Sequence, residues 1–318
     1  MKSSGIGGQA LMEGVMMRAG DKYACAVRKP DGGIEIKTED YRSIFGNGWW
    51  LRTPFIRGMF NFIDSMVVGM KSLSYSSEIY ATPEEDYEPT RFEKWMEKKF
   101  GDKAEKIFLT IVMVISIAFA IGMFVLLPSL FASLLKTVIE NRFVVNLLEG
   151  VFRMTIFILY VWLISFMKDI KRTYMYHGAE HKCINCIESG LDLTVENVAK
   201  SSRRHKRCGT SFMLIVMIIS ILIFMLIDTP TIWLRFLSRI LLIPVVAGVS
   251  YEFLRLAGNS DNPVVNILSK PGLWLQGLTT AEPDESMIEV GIASVEAVFD
   301  WKDYLLKNSP SEERKDAL

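Results

Sequence analysis

Four stretches of the chain are almost continuously apolar, and they organise everything else. From Ile107 to Leu127 no ionisable side chain appears, a run long enough to cross the roughly 30 Å hydrocarbon core of a bilayer as a helix. Phe143 to Met167 is a second run, interrupted by Glu149 and Arg153, which stand four apart and can neutralise each other on one helical face. Ser211 to Ile227 is a third. In the fourth, Thr231 to Arg239 carries Arg235 and Arg239 and suits the interface, while the span proper runs from Ile240 to Leu256 through Pro244. A buried helix of a large soluble protein can also be apolar all round. Four such helices in one chain instead predict a mainly α, polytopic membrane protein with about four transmembrane helices.

Between and around these runs the pattern changes. Residues 1–90 predict a small mixed α/β region. Tyr23 to Arg28 and Ile34 to Lys37 are strand-like runs about the turn Pro30-Asp31-Gly32-Gly33. Ile56, Met59, Phe60, Ile63, Val67, Met70 and Leu73 then recur at helical spacing, a stripe that packs in a core or lies on a membrane surface beside Trp49 and Trp50. Thr82 to Thr90 is Pro- and acid-rich and predicts a linker. Residues 91–167 hold the first two spans, 168–210 a central loop, 211–257 the last two spans and 258–318 a tail. In the loop, Asp169 to Ser189 predicts a helix continuing the second span outward, with Gly190 as its stop and a short helix capped by Thr194 after it. In the tail, Ile288 to Phe299 has helical spacing, and Lys307 to Leu318 is charged.

Charge adds orientation. The 318 residues include 36 basic and 36 acidic side chains, so the balance gives no reason to expect nucleic-acid binding. Lys94, Lys98, Lys99, Lys103 and Lys106 precede the first span, and Lys168, Lys171, Arg172, Lys182, Lys200, Arg203, Arg204, Lys206 and Arg207 crowd the central loop. The alternate loops carry few, so the positive-inside rule puts both termini and the central loop in the cytoplasm. Met1 to Arg18 lacks the apolar core of a signal peptide. Cys25, Cys183, Cys186 and Cys208 then face a reducing compartment, where metal ligation is a better use of close thiols than disulfides.

The central loop also holds all three histidines, His177, His181 and His205. His177-Gly-Ala-Glu180-His181 has the His-x-x-Glu-His order of inverted zincins. On a helix both imidazoles share a face, and Glu180 stands beside them to take a proton from water. A catalytic zinc, or another divalent transition metal, needs a third ligand, and Glu252, near the cytoplasmic end of the fourth span, is the candidate. A second scheme uses Cys183-x-x-Cys186 and His205-x-x-Cys208 as a closed structural site. Gly5-x-Gly7-Gly8 is a weak nucleotide signal, and Glu13 and Arg18 either pair, line a pocket or stabilise a turn.

The chain resembles the YqhQ-like family of bacterial integral membrane proteins. The resemblance rests on Gly7-Gly8-Gln9-Ala10, Glu13-Gly14-Val15-Met16-Met17-Arg18, Tyr176-His177-Gly178-Ala179-Glu180-His181-Lys182, Arg207-Cys208-Gly209-Thr210-Ser211-Phe212 and Pro271-Gly272-Leu273-Trp274-Leu275-Gln276. It implies a metal-dependent protein of the inner membrane. It also implies that cysteine is not general at position 183, which favours His177 and His181 with His205 or Cys208 over the four-ligand scheme. Two functions follow as expectations. One is a metal-dependent hydrolase acting on a peptide or lipid at the inner membrane surface. The other is a non-enzymatic factor for membrane-protein clients or the translocation machinery, with a structural metal site. A homo-oligomer is compatible with both, and a transporter fits less well because no repeated halves are visible.

Overall fold

The computed structural model describes residues 3–80, 90–101, 104–227, 231–259 and 262–308. Most of the predicted linker, Lys103 and the charged end of the tail lie outside these residues. The chain divides into two units. The first comprises Met1–Ala81, Val161–Ile219 and Leu242–Leu318, and the second Thr82–Tyr160 and Ser220–Leu241.

The first unit is built on an antiparallel meander of β1 (Gly7–Leu11), β2 (Gly14–Ala19), β3 (Lys22–Arg28) and β4 (Ile34–Asp40), in the order β1-β2-β3-β4. The β3–β4 hairpin follows the predicted alternation, with Arg28 opposite Ile34 and Gly32 at φ +87° in the turn. β1 and β2 were not expected, because the glycines and Glu13 resemble a loop. Gly8 is required by proximity: a Cβ there would lie 2.7 Å from the Met16 carbonyl oxygen and 2.8 Å from Glu180 Cγ. Glu13 occupies the tight β1–β2 turn at φ +48°.

Strand alternation gives the sheet two buried faces. Val15, Met17 and Ala26 join the main core with Tyr176, Ala179, Cys183, Ile184 and Ile187 of α6 (Lys168–Glu188) and Met287, Ile288, Val290 and Val295 of α11 (Glu285–Glu296). Leu11, Met16, Tyr23, Cys25 and Val27 form the opposite face, under Val68, Tyr75 and Ile79 of α1 (Ile56–Tyr80). The sheet is therefore the middle layer between helices. α1 does not bury its apolar stripe as a whole: Gly69, Ser72 and Ser76 are buried, whereas Ile56 and Met70 are exposed. Small residues face inward because the approach is close, a Cβ at Gly69 coming 2.3 Å from Gln9 Oε1.

α6 is a separate helix, since α5 (Arg142–Ile164) ends before Ser165 and Met167 is extended at ψ 133°. Gly190, at φ +82°, ends the next turn of chain as expected, and Thr194 caps α7 (Val195–Lys200) through the Asn197 amide. The tail supplies α10 (Pro263–Thr279), α11 and α12 (Trp301–Asn308).

Among the described residues, three helices are long and apolar enough to cross a bilayer: Thr110–Leu135, Arg142–Ile164 and Trp233–Gly258. The first joins α3 (Ala104–Ile121) to α4 (Leu127–Leu135) through a π-helical turn at Gly122–Leu126. α8 (Gly209–Met225), the third apolar run, is a shorter apolar helix of 17 residues, about 26 Å long at 1.5 Å per residue. The last run is one helix, α9 (Ile232–Asn259), with Pro244 inside it. Arg235 and Arg239, expected along an interface, are buried within that helix and bond to Glu149. In the second unit Phe131 stacks on Phe152 at 4.2 Å, packing α4 on α5.

Candidate metal centre

α6 presents His177, Glu180 and His181 on one side, as residues three and four apart must be. The helix is held tightly there: the Ala281 amide donates to the Tyr174 carbonyl at 2.8 Å, and a Cβ at Gly178 would lie 2.1 Å from the Ala281 carbonyl oxygen. Only glycine admits this approach, which fixes the end of α10 against the turn of α6 carrying His177.

Each imidazole is oriented by a backbone carbonyl. His177 Nδ1 is 2.9 Å from the Thr279 oxygen, and His181 Nδ1 is 2.7 Å from the Arg203 oxygen. A carbonyl only accepts, so each Nδ1 donates and Nε2 is the ring nitrogen turned toward the cluster. His177 Nε2 lies 3.2 Å from Cys208 Sγ. One donor atom from each of His177, His181 and Cys208 falls within 4.8 Å of the others. Around a tetrahedral zinc, donors about 2.0–2.3 Å from the ion stand about 3.3–3.7 Å apart, so small movements would complete the set.

Cys208 is positioned by its neighbours. Its sulfur accepts from the Thr210 amide at 3.4 Å and lies 3.1 Å from the Thr210 hydroxyl. Buried Gln276 accepts from the His205 amide at 2.8 Å and donates to the His205 carbonyl and to Ser211 Oγ at 2.7 Å each. The Pro271–Gln276 block thus fixes the segment leading to Cys208.

Glu180 completes the cluster, its Oε2 lying 3.8 Å from His177 Nε2 and 3.9 Å from His181 Nε2. Burial pushes its carboxyl up to about 7, against the partly offsetting influence of His177 and the Gly8 amide. Nearby, burial alone would raise Glu188, but hydrogen bonds from His205 and Ser4 and the charge of Arg207 hold it down at about 2. Burial lowers His205, partly offset by Glu188.

The other expected ligands are employed elsewhere. Glu252 receives Arg57 Nε at 2.7 Å and the Phe55 amide at 3.1 Å, so its charge is met by a guanidinium and it does not join the imidazoles. The set Cys183, Cys186, His205 and Cys208 is not assembled either. Cys183 is fully buried in the core, where a Cβ on Gly291 would come 2.9 Å from its sulfur, and burial holds its thiol well above the usual range. Cys186 donates toward the Asp192 carbonyl at 3.4 Å, and His205 Nε2 meets Glu188 at 3.3 Å. Glu13 pairs with Arg172 and accepts from the Tyr176 hydroxyl at 3.2 Å, while Arg18 lies over the Tyr41 ring at 3.3 Å, so the two do not pair with each other.

Spacing on α6 exposes the two imidazoles, but a third donor beyond a loop has no fixed offset. From sequence, Cys208 stands beside the imidazoles only as an alternative to His205, through what the resemblance implies about position 183. The orienting carbonyls of Thr279 and Arg203 leave no signal in side-chain identity.

Comparison with known proteins adds the following. The family described as "Protein of unknown function (DUF1385)" matches residues 53–301. A similar protein is "Uncharacterized protein YqhQ" of Bacillus subtilis (strain 168), 37% identical over 289 residues, which cover 91% of this chain and 90% of that one. No solved structure matches the chain.

Proposed function

The chain belongs to the DUF1385 family, and from the geometry of its α6 cluster we propose that it is a membrane-embedded metalloprotein acting as a hydrolase at the inner membrane surface. His177, His181 and Cys208 would hold a divalent transition metal, zinc by donor type. The reading is carried by one observation: three donor atoms lie within 4.8 Å while both Nδ1 atoms are turned away onto carbonyls. A bound ion would supply Lewis acidity toward a carbonyl or phosphoryl oxygen. Glu180 takes the proton of the attacking water and delivers it to the leaving group. Gly8 packs against Glu180, whose carboxyl is buried. We also assign α8 as a fourth, short crossing, which places α6 and both termini on the cytoplasmic side in keeping with the basic residues of the central segment.

Metal analysis of the purified full chain tests this. About one equivalent is expected for the native protein and loss in a His177→Ala His181→Ala variant. Less than about a tenth of an equivalent, unchanged by the double substitution, overturns it. Glu180→Gln is expected to keep the metal and lose cellular function.

One observation favours a second reading, a membrane-protein biogenesis factor in which the metal is structural. His181 is 1% exposed and Glu180 4% exposed, so the cluster is closed to a bulky substrate as it stands. Unimpaired cellular function of Glu180→Gln, with metal retained and client proteins still co-purifying, selects this reading.

A further inference from the structure

The second unit gathers an excess of buried positive charge. Glu149 of α5, 1% exposed, faces Arg153 Nη2 at 3.4 Å and Arg235 Nη1 at 3.2 Å. It also meets Arg239 Nη1, which donates in addition to Ser129 Oγ of α4 at 2.7 Å. Both Glu149 oxygens are thereby engaged, yet a guanidinium carries several N–H donors in a fork suited to two acceptor oxygens. Arg153 Nε is buried with no hydrogen-bond partner. Arg153 and Arg239 share the Phe224 ring, at 5.8 and 5.3 Å from its centroid, a contact with the ring's electron-rich face that does not consume the Arg153 Nε–H.

The cluster lies at one end of the bundle. Ser129 precedes Leu135, the end of its span, by six residues, Glu149 follows Arg142 by seven, and Arg239 follows Trp233 by six. At 1.5 Å per residue these three lie about 9–11 Å along their helices from that end, and Arg153, which follows Arg142 by eleven residues, lies about 16 Å along. The long Arg239 side chain reaches toward headgroup level from its depth, and Arg153 carries the positive charge further into the bundle. One carboxylate facing three guanidiniums favours further negative charge nearby.

We propose that Arg153 and Arg239, with Glu149 as the fixed base between them, form an anion site for a tetrahedral phosphate group. A phospholipid headgroup or free phosphate would present this chemistry. Its oxygens accept from the Arg153 Nε–H and from the Arg239 guanidinium, and Glu149 keeps the guanidiniums in place when the site is empty. The proposal is independent of the α6 cluster.

The test reconstitutes the full chain in phosphatidylcholine nanodiscs and measures its melting temperature and, by native mass spectrometry, the lipid retained. One arm adds phosphatidylglycerol, the other inorganic phosphate against a chloride control of equal ionic strength. Stabilisation by phosphatidylglycerol alone identifies a headgroup site, and stabilisation by phosphate alone a free-anion site. Arg153→Gln is expected to weaken the bound probe about tenfold, the loss of one charge-assisted hydrogen bond. Glu149→Gln, which removes the competing negative charge, is expected to strengthen it. Equal responses of the native protein and Arg153→Gln overturn the proposal. If Arg153→Gln does not fold, no response of the native protein to either probe overturns it.

Discussion

The carboxyl of Glu180 offers the most direct test of the candidate site, because its environment ties folding to pH with a defined sign. Burial raises it from about 4.5 to about 7 in the folded chain. The folded state then holds a proton that the unfolded state releases between those values. The stabilisation is complete below about pH 4.5 and is lost as pH rises through about 7. At about 1.4 kcal/mol per unit, the shift corresponds to about 3 kcal/mol between the two limits. Glu180→Gln keeps the shape and removes the titration.

In chelator-treated protein, where no cation can stabilise the carboxylate, the stability of Glu180→Gln relative to native should therefore grow by about 3 kcal/mol from pH 4.5 to pH 8. Reversible denaturant unfolding in mild detergent, followed by tryptophan fluorescence, measures the difference. A difference that is flat with pH, or that shrinks as pH rises, refutes the placement of Glu180 as a buried, weakly compensated carboxyl. Added zinc should remove most of the pH dependence in the native protein, since a cation beside the carboxylate opposes the burial penalty.

Three further outcomes follow from the geometry. Cys208→Ser should lower zinc affinity at least about tenfold while Cys183→Ala leaves stoichiometry intact, read by competition with a chromophoric chelator; equal effects would return the core thiol to the ligand set. Gly178→Ala, whose Cβ would lie 2.1 Å from the Ala281 carbonyl oxygen, should destabilise by about 1–3 kcal/mol, seen as a lower melting temperature, and an unchanged melt would mean that the α10–α11 segment does not press on α6. Glu252→Gln should leave metal content unchanged and lower stability by about 1 kcal/mol through loss of its charge pairing with Arg57; loss of metal would restore Glu252 as a ligand.

What the sequence reveals follows the range of each interaction. Long apolar runs, the β3–β4 turn, the Thr194 cap and the Gly190 stop are local, and their residue types carry them directly. The His177–Glu180–His181 face is local as well, because helical periodicity alone places those three side chains together. The third donor is not local. Glu252 seemed suitable because an ionisable group near a span end needs a partner, but that need is met equally by Arg57, and spacing cannot distinguish a cation on a neighbouring helix from a metal. Arg235 and Arg239 were misplaced for the related reason that a charge in an apolar helix resembles an interfacial charge until its counter-charge is known, here Glu149 about ninety residues away in sequence. The strands β1 and β2 were hidden because close approach selects glycine at the position where alternation would otherwise show an apolar residue. Gly8 and Gly178 mark this most clearly: each is small because Glu180 or Ala281 occupies the space its Cβ would need. A glycine block beside a polar motif is therefore a trace of the packing that shapes the site, and reading it as a flexible loop discards the contact that makes Glu180 buried.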